Sequence, residues 1–119
     1  MYNTIHTWDS ELSADSVEWC PCDGYENLLT VGTYQVQKSE SSEVFPSDQR
    51  HGRITLHSVN EGHVLLQTLN VAAVLDMKWS PQPLCSNNDL SENIPVLAVV
   101  DAQGLLLFKC LVCNLKFAP

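Results

Sequence analysis

Val17-Glu18-Trp19-Cys20-Pro21 and Met77-Lys78-Trp79-Ser80-Pro81 are one pattern written twice, with the two tryptophans 60 residues apart. Each places an apolar residue two positions before a tryptophan, then a small residue, then a proline. In an extended chain alternate side chains share a face. Val17 and Trp19 are therefore expected on one face, with Glu18 and Cys20 on the other. In the second run Leu75, Met77 and Trp79 are expected together, opposite Asp76, Lys78 and Ser80. Pro21 and Pro81 have no amide proton for a ladder hydrogen bond, so each ends its strand.

The echo continues downstream. Leu28-Leu29-Thr30-Val31-Gly32 matches Val96-Leu97-Ala98-Val99-Val100, and Gly52-Arg53-Ile54-Thr55-Leu56 matches Gly104-Leu105-Leu106-Leu107-Phe108. Helix-length windows with apolar residues at three-four spacing are missing. Short apolar or alternating runs broken by Gly, Pro, Asn and Ser stand in their place, which is the strand pattern. The sequence predicts strands over 16–20, 28–36, 53–59, 64–69, 74–79, 95–100 and 104–111. Asn60-Glu61-Gly62 and Asp101-Ala102-Gln103-Gly104 read as turns. The polar stretches Gln37–His51 and Pro81–Ile94 read as surface loops.

Three strand types recurring in the same order resemble the first three strands of a WD-repeat blade. The fold class expected is all-β, a WD-repeat-type β-propeller fragment of about one and three-quarter antiparallel blades. An unrelated small β-sandwich with a chance Trp-Pro echo does not explain the shared order. In a propeller the tryptophan fills the gap between adjacent sheets, and inner strands lose strict alternation because both faces are covered. The repeat is degenerate. Asn70-Val71 stands where a standard repeat has Gly-His, and His57-Ser58 and Lys109-Cys110 stand where it has Trp-Asp. The usual His–Asp–Ser–Trp network is therefore not expected. A ring needs about four or more blades, so two apolar sheet faces are expected to lack neighbours. The blades are assigned to 1–109 and a divergent tail to 110–119.

Hydrophobic residues make up 45 % of the 119 residues and charged residues 17 %, a globular balance. Fourteen carboxylates against six Lys and Arg give a net charge of −8, which disfavours a nucleic acid partner. The opening MYNTIHTWDS has no charged and apolar signal-peptide regions. The apolar runs Val96–Val100 and Leu105–Phe108 are too short to span a bilayer, so no membrane role is expected. Five cysteines without a secretory signal read as reduced thiols in the cytoplasm.

The stretches Leu12-Ser13-Ala14-Asp15-Ser16-Val17-Glu18-Trp19-Cys20-Pro21, Leu28–Gln35, Gly52–Leu56, Ala73–Trp79 and Leu97–Gly104 are more specific than a generic repeat. Over about residues 5–109 they resemble the N-terminal part of the diphthine methyl ester hydrolases. These are WD-repeat proteins of diphthamide biosynthesis, also named diphthine methyltransferases. Cys110–Pro119 departs from the family's continuation, so a truncated product is expected, inactive on its own. The resemblance implies a carboxylic ester hydrolase acting on translation elongation factor 2, which frees the carboxylate of methylated diphthine to give diphthine. The alternative is a non-catalytic WD-repeat scaffold that binds a protein partner.

Ester hydrolysis needs an activated nucleophile or water, and donors for the oxyanion. The sequence has no Gly-x-Ser-x-Gly elbow, no His-Glu-x-x-His and no phosphate-binding glycine loop. The catalytic residues are unknown at this stage, and no cofactor or metal is expected. His51 and His63 read as solvated turn residues and His57 as a surface residue of an outer strand, and none of the four histidines, His6 included, reads as a catalytic group. Cys20-Pro21-Cys22 and Cys110-Leu-Val-Cys113 read as free thiol pairs, not as a zinc site. Trp19 and Trp79 could face a trimethylammonium group, but read as core residues between blades. Asp15 and Asp76, one place out of register, read as turn carboxylates.

Overall fold

The computed structural model describes residues 3–37, 49–82, 84–86 and 89–109. Among these residues there is no helix, and every strand pairing is antiparallel. The first sheet holds β1 (Ala14–Trp19), β2 (Leu28–Thr33), β3 (Gln35–Gln37), β4 (Gln49–Val59) and β5 (His63–Ala72). Its order runs β1, β2, β4, β5, with β3 following β2 along the same edge of β4. The second sheet holds β6 (Val74–Trp79), β9 (Leu97–Asp101) and β10 (Leu106–Lys109) in that order. Between β6 and β9 the chain makes a separate hairpin, β7 (Leu84–Ser86) with β8 (Asp89–Ile94).

The repeat read from the sequence is a repeat of register. Val17 pairs with Val31 and Trp19 with Leu29, as Met77 pairs with Val99 and Trp79 with Leu97. Val31 in turn pairs with Thr55, as Val99 pairs with Leu107. Each first strand carries an irregularity at the same place, between Ala14 and Ser16 in β1 and between Val74 and Asp76 in β6. The bonds just beyond the strands match too. Cys20 N donates to Leu28 O (2.9 Å) as Ser80 N does to Val96 O (2.8 Å), and Tyr34 N donates to Ser13 O (2.9 Å) as Ala102 N does to Ala73 O (2.9 Å).

The two sheets pack face to face. Ile54, Leu56 and Leu28 of the first meet Val74, Met77, Trp79, Leu97 and Val99 of the second, and Cys20 and Cys22 close one end of this core. Burying these side chains supplies the main drive for the stack, at about 1.5–3 kcal/mol for each large one. Two local features bring the sheets this close. A Cβ at Gly32 would stand 2.7 Å from Val74 Cγ1, so only glycine lets β6 lie against β2. A Cβ at Gly52 would stand 2.7 Å from Ala72 O, Ala73 Cα and Thr33 O, where the chain passes from β5 into β6. The indole Nε1 of Trp79 also donates to Glu18 O across the interface (3.2 Å).

The turn after β9 is built as its sequence suggests. Buried Asp101 accepts from Gln103 N (2.9 Å) and Leu105 N (3.1 Å) through Oδ1, and Gly104 takes the left-handed φ of 83° that the turn requires.

Four expectations are corrected. Pro81–Ile94 is not a plain loop, because it contains the β7–β8 hairpin. Gln37–His51 is entered from both sides by strand, as β3 and β4 pair from Gln35 to Gln37 and from Gln49 to His51, and its middle lies outside the described residues. Leu75 does not join Met77 and Trp79, because the bulge in β6 turns it out and puts Val74 in the core instead. Trp79 is a core residue at 2 % exposure, but Trp19 at the equivalent register is 53 % exposed. The tail 110–119 lies outside the described residues.

Candidate functional site

The first sheet's outer face is where polar chemistry collects. Two contacts near its start tether the chain ahead of β1: Tyr34 N donates to Ser13 O (2.9 Å), and Arg53 Nη1 lies 3.3 Å from Glu11 Oε2. From there residues 3–8 run across the sheet. The Trp8 ring meets His57 edge-on at 4.4 Å between centroids and His63 at 6.2 Å. A groove of about 550 Å3 is left beside this segment, lined among others by Ile5, Trp8, Trp19, Leu29, Val31 and His63.

Its floor carries a line of three polar side chains. His57 Nε2 lies 2.8 Å from Thr55 Oγ1, and His57 Nδ1 lies 2.7 Å from His63 Nε2. Strand alternation puts Thr55 and His57 on one face, and the hairpin register pairs His63 with Val59, the next residue on that face. One proton serves the contact between the two rings, so one imidazole donates and the other accepts. Burial, and next the neighbouring His63, hold the His57 imidazole below its ordinary value of 6.5.

Hydroxyl, imidazole, imidazole is the order of a nucleophile, its base and an orienting group. Exposure decides against that role. Thr55 is 2 % and His57 1 % exposed, so no substrate reaches the hydroxyl. The line satisfies polar groups under Trp8; His57 and His63 both line the groove, but His57 is buried and His63 is half-buried. The groove itself suits an apolar or cationic group placed against the indole faces of Trp8 and Trp19.

The histidine expectations are thus corrected in part. His57 is not a surface residue, because β4 is a central strand with Trp8 laid over it. His63 begins β5 and is half-buried, since the hairpin folds it back toward His57. His51 is exposed as expected, though in a strand, and His6 is exposed at the groove. Asp15 and Asp76 are exposed at the two bulges, not in turns, and Asp76 Oδ1 accepts from Met77 N (2.9 Å). Cys20 and Cys22 are free and buried, and burial pushes the Cys20 thiol up to about 11. Cys110 and Cys113 lie outside the described residues. Trp8 and the pairing of His57 with His63 are not anticipated from the sequence. The signal for the pairing was the short turn Asn60-Glu61-Gly62, which returns His63 to the face of His57.

The fold defines a class first: an all-β chain of stacked antiparallel sheets, in the arrangement of a propeller-blade segment. Over most of its length this chain is homologous to the diphthine methyltransferases. It is 34 % identical over 119 aligned residues to diphthine methyltransferase of Homo sapiens, covering 83 % of this chain and 26 % of that protein. It is 42 % identical over 84 aligned residues to diphthine methyltransferase of Mus musculus, covering 64 % of this chain and 18 % of that protein. The chain therefore spans about a quarter or less of the length of the curated relatives it matches. No family model matches, and no solved structure gives a significant match. Among the described residues no helix is long and apolar enough to cross a membrane.

Proposed function

We propose that this chain supplies about one and three-quarter blades of an enzyme of diphthamide biosynthesis that hydrolyses the methyl ester of methylated diphthine on translation elongation factor 2. The observation that carries this reading is the identity with diphthine methyltransferases over 83 % of the chain. Water adds to the ester carbonyl, the oxygen takes up the charge, and methanol leaves as the carboxylate is freed. That step needs a base for the water and donors for the oxyanion. The buried Thr55–His57 pair does not meet the need, so the reacting groups belong on a ring face where loops of several blades converge. The cytoplasm is the location that this reading gives.

Reconstitution tests it. The chain is mixed with a polypeptide supplying the remaining length of the human relative, and methanol release is measured from elongation factor 2 that carries methylated diphthine. Release with both pieces, and with neither alone, is the expected result. A stable complex that binds the factor and releases no methanol would sink the hydrolase and leave the scaffold.

A further inference from the structure

Strand β4 is basic at the end away from Trp8. Arg53 and His51 share one face there, because alternate residues of a strand do. Arg53 pairs across the sheet with Asn70 of β5, and His51 pairs with Gln35 of β3. Cross-strand partners place their side chains side by side, and these four line one groove of about 460 Å3, together with Leu12 from the chain ahead of β1. The groove lies four residues along β4 from His57, about 13 Å in an extended strand, so it is separate from the groove beside Trp8. Each of the four side chains offers a hydrogen-bond donor. Among the described residues no carboxylate lines this groove, although the chain carries a net charge of −8.

One carboxylate reaches it from outside the sheet. Glu11 Oε2 lies 3.3 Å from Arg53 Nη1. A strained turn holds it there. Leu12 N donates to Ser10 O (2.7 Å), which closes a γ-turn around Glu11 with a left-handed φ of 66°. The contact is nevertheless loose. The Glu11 side chain is 76 % exposed, and one of its oxygens meets one nitrogen of a guanidinium fork that can hold both oxygens of a carboxylate. Arg53 itself is well anchored. Its N–H donates to Thr33 Oγ1 (2.8 Å), and buried Thr33 Oγ1 donates back to Arg53 O (3.3 Å).

We propose that Arg53, Asn70, His51 and Gln35 form a binding site for a carboxylate ligand, with Glu11 as its resident occupant. The incoming carboxylate displaces Glu11 and takes the whole guanidinium fork, flanked by the amides of Asn70 and Gln35. The ligand class follows from the occupant, because the site already accepts a carboxylate and uses half of the fork for it. Displacement is cheap, since an exposed ion pair adds little stability and the turn that presents Glu11 is strained. The carboxylate belongs to a free dicarboxylic acid or to an acidic peptide. This site goes beyond the hydrolase reading and does not rest on it.

Amide NMR on the 119-residue chain tests the site, with glutarate and a capped Gly-Glu-Glu-Gly peptide as probes. Saturable shifts are expected at Glu11, His51, Arg53 and Asn70 and at the side-chain amide of Gln35. Tighter binding of glutarate assigns the site to a free acid, and tighter binding of the peptide to an acidic segment; either supports the carboxylate site. Arg53→Lys keeps the charge and loses the fork, and should weaken binding about tenfold. Asn70→Ala should weaken it about threefold. Glu11→Gln removes the competitor and should tighten binding by about two- to fivefold. Asp15→Asn makes the same charge change at another exposed carboxylate and should leave affinity unchanged. The absence of saturable shifts at these residues with both probes overturns the proposal. So does undiminished binding by Arg53→Lys, an equal gain from Glu11→Gln and Asp15→Asn, or tighter binding of inorganic phosphate than of either probe.

Discussion

His57 Nδ1 and His63 Nε2 face each other across 2.7 Å, in a place where only one of the two rings can carry an extra proton. Burial is the larger cause of the low His57 value and His63 the smaller. The unfolded chain binds a proton near pH 6.5 that the folded chain refuses until lower pH, so stability is present above that value and is lost as pH falls through it. The urea unfolding midpoint, at fixed protein concentration, should drop between about pH 7.5 and about pH 5.5. His57→Phe should flatten this part of the pH dependence. His63→Gln should reduce the slope without abolishing it, because the burial of His57 remains. Equal slopes in all three proteins would place the acid sensitivity elsewhere.

Gly32→Ala and Gly52→Ala should differ in kind. The new methyl at position 32 meets side chains, Ser16 Oγ at 2.6 Å and Val74 Cγ1 at 2.7 Å. Overpacking of this sort costs about 1–3 kcal/mol, and Val74→Ala should recover part of it in the double variant. The three atoms nearest the methyl at position 52 are all backbone atoms, which cannot rotate away. Its cost should lie at or above the upper end of that range, and no single side-chain truncation should relieve it. Urea midpoints for the four proteins give the comparison.

Much of the fold was legible, and the parts that were not have physical causes. The three matched segments of Val17–Pro21, Leu28–Gly32 and Gly52–Leu56 fall at equivalent registers, because strand period and proline or glycine boundaries are properties of local sequence. Strict alternation misplaces Leu75 because a bulge inserts one residue without changing composition. Trp19 and Trp79 sit in the same apolar-x-Trp-small-Pro pattern and differ in burial, 53 % against 2 % exposed. Burial of a tryptophan between sheets depends on whether a second sheet lies over it, which the pattern around that residue does not record. His57 failed for a similar reason: the ring that covers it, Trp8, is 49 positions away along the chain.

That contrast between the tryptophans is measurable. Trp79→Phe removes the Nε1 bond to Glu18 O and leaves a gap in the core. It should cost about 2 kcal/mol. Trp19→Phe should change the monomer's stability by no more than about 0.5 kcal/mol, as expected for a residue half in solvent. Similar losses at both positions, measured at a concentration where the chain is monomeric, would mean that a second sheet covers Trp19 in solution.

Cys20 gives a check on the stacked core that does not rely on unfolding curves. Its thiol is buried and pushed up to about 11, so very little thiolate forms near neutral pH. Iodoacetamide at about pH 8 should leave Cys20 unmodified in the folded chain and label it readily in urea, read by peptide mass spectrometry. Fast labelling without denaturant would show that the end of the core formed by Cys20 and Cys22 is open.

The last prediction concerns activity. A hydrolytic site at a ring face draws its base and its oxyanion donors from several blades, and this chain has two blade-type sheets among its described residues. The purified chain should therefore release no methanol from the modified elongation factor at any concentration. Its thermal melt should be broad, because among the described residues Val17 and Trp19 of the first sheet and Leu106 and Phe108 of the second stay exposed. Methanol should stay at background across the concentrations tested. Turnover by the chain alone would mean that residues 1–119 hold all the groups that the hydrolysis needs, and His63 at the groove would be the first to substitute.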